Sequence, residues 1–129
     1  MKGYIANIEK ETLDNTDYRR VLYTSRYSQL VVMSLPPGVE IGNEIHGLDQ
    51  FLRFEAGKAK VILNNKDEYE LGADDAVIVP AGTWHNVINV GDEELKLYTI
   101  YSPPEHKDKV TEATKEDEIE EHFDGVTTE

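Results

Sequence analysis

The chain has 129 residues, thirteen Lys and Arg against twenty-six Asp and Glu, a net charge of −13 at pH 7, and no cysteine. That length predicts one domain with its own hydrophobic core, and the charge repels phosphate backbones and anionic bilayers, so neither nucleic acid nor a membrane is an expected partner. The absence of thiols excludes disulfides, thiolate metal sites and cysteine nucleophiles, and leaves any metal to nitrogen and oxygen ligands.

Met1 to Asp17 is mixed and polar; Ile5 and Ile8 are its main apolar anchors, and the segment is expected to add an edge strand or to reach a partner subunit. It carries neither the apolar stretch nor the small-residue cleavage site of a signal peptide, and no apolar run reaches membrane-spanning length, so the cytoplasm is the expected location. Short apolar or alternating runs then follow: Val21–Thr24, Gln29–Leu35, Phe51–Glu55, Lys58–Leu63, Glu68–Leu71, Ala76–Val79 and Leu95–Ser102. Turn signals separate them at Pro36-Pro37-Gly38, Asn64–Asp67, Gly72–Asp75, Pro80-Ala81-Gly82 and Gly91-Asp92. Many short strands at this spacing predict an all-β antiparallel sandwich or barrel. Pro103-Pro104 ends the last strand, and Thr111 to Phe123 reads as a short surface helix capped by Thr114 with Asp117 three residues on. The expected division is a barrel core at about 20–104, a polar arm 1–19 and a charged, partly helical tail 105–129, all in one domain.

The histidines carry the chemical signal. Glu44 and His46 are one residue apart, so an extended backbone points both side chains to one face and Ile45 to the other. Gln50 follows the tight connection Gly47-Leu48-Asp49 and can return beside them in the next strand. His85 stands where Pro80 and Gly82 set the start of another strand. Taken singly, a histidine at a strand end is more often a surface or hydrogen-bonded structural residue than a ligand. His106 and His122, in the charged tail, read as surface residues, as do the loop acids Glu40 and Asp49, while Arg53 is expected to form an ion pair or an interface contact.

Two motifs tie these residues together. Gly38, Glu44, His46, Gln50 and Gly57 reproduce the spacing G-x5-H-x-H-x3-E-x6-G, with Glu44 in place of the first histidine and Gln50 in place of the glutamate. Pro80, Gly82, His85 and Asn89 reproduce G-x5-P-x-G-x2-H-x3-N, whose leading glycine falls on Asp74, a residue type that tolerates a left-handed turn. In both, the chain resembles the cupins, over about Val21 to Ser102.

The resemblance implies a double-stranded β-helix, the jelly-roll barrel also called RmlC-like, and one divalent metal ion, Fe, Mn, Ni or Zn, held by Glu44, His46, Gln50 and His85. Gln50 would either ligate directly or hydrogen-bond a metal-bound water, and Trp84 and Tyr98 would wall the pocket. The expected function is a metal-dependent oxygenase or isomerase acting on a small organic molecule, or else a non-catalytic sensor of a small ligand or metal. The family also implies a homodimer. Catalytic residues are not assigned.

Overall fold

A computed structural model describes residues 1–129. Nine strands alternate with tight turns: β1 (Arg19–Thr24), β2 (Gln29–Leu35), β3 (Asp49–Ala56), β4 (Ala59–Leu63), β5 (Asp67–Leu71), β6 (Ala76–Val79), β7 (His85–Asn89), β8 (Leu95–Ser102) and β9 (Thr111–Glu112). They form two antiparallel sheets, one in the order β6-β3-β8-β2-β1-β9 and the other β5-β4-β7. This is the double-stranded β-helix the motifs imply. All seven expected strands are present within one or two residues of their predicted ends; β7 is the strand that begins after the Pro80–Gly82 turn, and β9 was not foreseen.

Side-chain alternation builds the core. Along β8, Leu95, Leu97, Thr99 and Tyr101 are buried while Lys96, Tyr98 and Ile100 turn outward. The paired strand β3 does the same with Gln50, Leu52 and Phe54, which face Tyr101, Thr99 and Leu97 in register. Read along these ladders, the interior is graded. One end is apolar, with Leu35, Phe54, Leu95 and Leu97 fully buried, whereas Gln29, Gln50, Thr99 and His85 make the other end polar yet still closed to solvent. Burying polar groups is tolerated only where partners await them.

The closing residues of the two motifs lie at the apolar end and are structural. Gly57 has φ +93°, and a Cβ there would lie 2.8 Å from Glu94 O and 2.9 Å from Leu95 Cα, so no larger residue fits. Asn89 is buried and its Nδ2 donates to Leu35 O and Glu93 O, each at 2.8 Å. Asp74 adopts φ +72°, as its place in the second motif requires, and its carboxylate takes the expected ion pair with Arg53 at 2.9 Å.

The two flanking segments depart from expectation. The N-terminal arm adds no edge strand; it forms α1 (Ile8–Asp14), with the Asn7 side chain accepting from Lys10 N and Lys10 paired with Asp14 at 2.6 Å. An asparagine cap followed by glutamates in the first turn was the local signal for it. Ile5, taken as an anchor, is 96% exposed. The C-terminal helix contracts to a single 3-10 turn at Lys115–Asp117, where the Thr114–Asp117 capping box does form. The rest of the tail is an extended strap: Thr111–Glu112 pairs with β1 as β9, and the chain then returns over the polar end of the barrel, with Phe123 N donating to Glu105 O at 2.9 Å. No helix is long and apolar enough to cross a membrane.

Candidate metal centre

The two motifs meet through backbone hydrogen bonds. Glu44 and His85 exchange both N–H···O bonds at 2.9 Å, Gly82 N donates to His46 O at 2.8 Å, and Ala81 N donates to the Asp49 carboxylate at 2.9 Å. The Pro80–Gly82 turn is thereby docked on the segment that carries Glu44 and His46. Alternation does the rest: Ile45 is exposed, while Glu44 and His46 turn together toward His85.

Glu44, His46 and His85 each offer one ligand atom, and these atoms lie within 4.8 Å of one another. Glu44 Oε1 is 3.4 Å from His46 Nε2 and 3.9 Å from His85 Nε2. Both Nε2 atoms are buried without a hydrogen-bond partner, and so is Gln50 Oε1. The Gln50 amide is oriented by its other end, since Nε2 donates to Thr99 Oγ1 at 3.0 Å. His85 Nδ1 lies 2.9 Å from Thr83 O, which fixes the proton on Nδ1 and leaves the lone pair on Nε2. Buried polar atoms are almost always satisfied. Two imidazole nitrogens orphaned beside one carboxylate are donors that a divalent ion would satisfy, and the Gln50 oxygen on β3 is a further buried acceptor without a partner.

Charge differentiates the two imidazoles. Burial pulls His46 down, but Glu44 and Glu105 outweigh it and raise its pKa above 6.5; burial dominates at His85 and lowers it below that value.

Beside these side chains lies a cavity of about 200 Å³, whose wall includes Arg19, Glu44, His46, Glu105, Glu118 and His122. Four of these belong to segments outside the motifs. Arg19 is buried and bonds Glu112 at 2.7 Å and Glu118 at 3.0 Å, which anchors the strap across the barrel mouth. Two placements correct the expected pocket wall. Trp84 is 42% exposed and is not among the cavity residues, and Tyr98 points outward on β8 against Phe51, with ring centroids 6.2 Å apart. The aromatic that meets the ligands is Tyr101, edge-on to His46 at 6.1 Å. His106 is likewise no surface residue: its ring packs edge-on to Tyr101 at 5.1 Å, and burial lowers its pKa to about 3. No spacing rule singled out Arg19, Glu105 or His122, because β1 brings in the first and the C-terminal tail the other two, from opposite ends of the chain.

The cupin domain family matches residues 31–101. Among curated relatives, the chain is 42% identical to the uncharacterized protein YrkC of Bacillus subtilis over 124 residues, 92% of this chain and 67% of that one. It is 48% identical to the uncharacterized protein L612 of Acanthamoeba polyphaga mimivirus over 107 residues, 80% of this chain and 67% of the relative. Among solved structures, BH2720 from Bacillus halodurans superposes with a TM-score of 0.88 at 43% identity, covering 90% of this chain and 92% of its own. A Klebsiella pneumoniae protein with a double-stranded β-helix domain, 23% identical with a TM-score of 0.67 over 79% of this chain and 91% of its own, shares the fold alone.

Proposed function

The chain belongs to the cupin family, and from that premise we propose that it binds one divalent metal ion through Glu44, His46 and His85, with Gln50 Oε1 completing the set. The observation that carries this is the grouping of His46 Nε2 and His85 Nε2, both buried and unpartnered, with the Glu44 carboxylate within 4.8 Å of one another; Gln50 Oε1 is likewise buried and unpartnered. Two histidines and one carboxylate with further positions open suit Fe(II) foremost, and Mn, Ni or Zn as well. When bound, the ion would supply Lewis acidity, or with Fe(II) the capacity to activate dioxygen, toward a small organic molecule. The chain's part is to hold Nε2 and Oε1 inward through Thr83 and Thr99, and to limit the ligand through a cavity below the usual size for drug-like molecules. Oxygenase and isomerase chemistry both fit this arrangement.

Protein purified without an affinity tag and assayed by elemental analysis should carry stoichiometric metal. The His46→Ala, His85→Ala double variant should lose it. If the wild type stays empty after repletion with Fe, Mn, Ni and Zn, the site is not a metal centre. Oxygen uptake by the anaerobically loaded Fe(II) protein, offered diketones, thiols and sugar acids, then separates an oxygenase from a protein that only senses its ligand. The same proposal includes a homodimer, which sedimentation equilibrium would report as twice the 14.6 kDa chain mass.

A further inference from the structure

Resting on that metal site, we propose that Glu105 is its positioning residue: the strap that follows the barrel supplies the outer carboxylate that orients His46, and His122 clamps that carboxylate. Glu105 lies beyond the residues that match the cupin domain. Its carboxylate is 13% exposed, with Oε2 3.6 Å from His46 Nδ1 and Oε1 3.0 Å from His122 Nδ1. His46 Nε2 faces Glu44, so Nδ1 is the ring atom turned away from the centre, toward Glu105.

The backbone beneath Glu105 is itself held. Gln29, 1% exposed, receives both Glu105 N at 3.3 Å and His106 N at 3.0 Å on Oε1, while its Nε2 donates to His106 O at 2.7 Å and Thr24 Oγ1 at 3.0 Å. The register shift of β1 between Val21 and Tyr23 lets Thr24 face inward to meet Gln29, although Arg19 and Val21 already face inward. A second tie comes from Phe123 N on Glu105 O. With its backbone N–H held by Gln29 and one carboxylate oxygen paired with the exposed His122 imidazole, Glu105 turns its other oxygen toward His46.

The two histidines thus face different groups at Nδ1: His85 bonds the neutral carbonyl of Thr83 at 2.9 Å, whereas His46 stands at ion-pair distance, 3.6 Å, from a carboxylate. A carboxylate behind an imidazole fixes its tautomer and raises its basicity toward the metal, and removing such a partner typically weakens metal binding about 10–100-fold.

The test uses the full chain, as wild type and as the Glu105→Ala, Glu105→Gln and His122→Ala variants. Each is stripped of metal and titrated with Co(II) against a chromophoric chelator, with the Co(II) d–d absorption recorded at saturation. Glu105→Ala should bind Co(II) about 10–100-fold more weakly with a shifted absorption band, while its metal-free melting temperature stays that of the wild type. Glu105→Gln, which keeps an amide of the same shape behind Nδ1 without the charge, should fall between, and His122→Ala should show a smaller loss in the same direction. Wild-type affinity and spectrum in both Glu105 variants overturn the proposal, and if the alanine variant does not fold, the glutamine variant alone decides. Undiminished binding by the His46→Ala, His85→Ala protein would instead overturn the metal site beneath it.

Discussion

Gln50 and Thr99 illustrate how one hydrogen bond decides what a buried amide can do. With Nε2 on Thr99 Oγ1, only the oxygen is left without a partner. Gln50→Glu would place a carboxylate at that closed interior position. In the metal-free protein it should lower stability by at least ~1–3 kcal/mol at neutral pH, because a buried charge lacks a partner; in the metal-bound protein it should raise affinity. Denaturant unfolding with and without Zn(II) measures both. His106 gives a pH signature of opposite origin. Its folded pKa, about 3, lies below the ordinary 6.5, first through burial and then through the charges of Arg19, His46 and His122. The unfolded chain therefore binds a proton that the folded one refuses between pH 6.5 and about 3. The stability associated with a neutral His106 is complete above pH 6.5 and is lost as pH falls toward 3, at up to ~1.4 kcal/mol per pH unit. Urea unfolding across that window should show a shallower pH slope in His106→Gln than in the wild type.

At the scale of elements, the graded interior of β3 and β8 separates stability from chemistry. Leu97 is fully buried in the apolar half, and Leu97→Ala should cost ~2–5 kcal/mol with Glu44, His46 and His85 undisturbed, as read by chemical denaturation. Gly57→Ala, at the turn between β3 and β4, combines a left-handed φ with a clash against the backbone of Glu94 and Leu95, and should destabilise by ~1–3 kcal/mol or more in the same measurement. Strand positions were legible because alternation and turn residues report them directly: Gln29–Leu35, Ala76–Val79 and Leu95–Ser102 begin and end where the pattern says. The tail was less legible. Thr114 and Asp117 do make a capping box, but charged residues with one small apolar stripe cannot hold a helix without a docking face, so one 3-10 turn forms and the rest is drawn out by Arg19 and by pairing with β1.

Over the whole molecule, a charge of −13 opposes compactness, and the strap gathers Glu105, Glu118 and Glu121 around a mouth with Arg19 as its buried cation. Screening should relieve part of that repulsion, so the melting temperature should rise as NaCl increases from about 0.01 to 0.15 M, a change calorimetry resolves. Shielding cannot replace the buried Arg19–Glu112 pair, whose members are 3–4% exposed. The sequence by itself determined seven of the nine strands, because alternation and turn chemistry are local, and its resemblance to the two cupin motifs implied the barrel and the meeting of Glu44, His46 and His85. Only the tertiary structure decided which amide atom of Gln50 is free, that Tyr101 rather than Tyr98 stands beside the site, and that Glu105 and His122 lie behind His46. These depend on contacts between residues far apart in the chain, set by strand register and by the returning strap, and no local periodicity carries them.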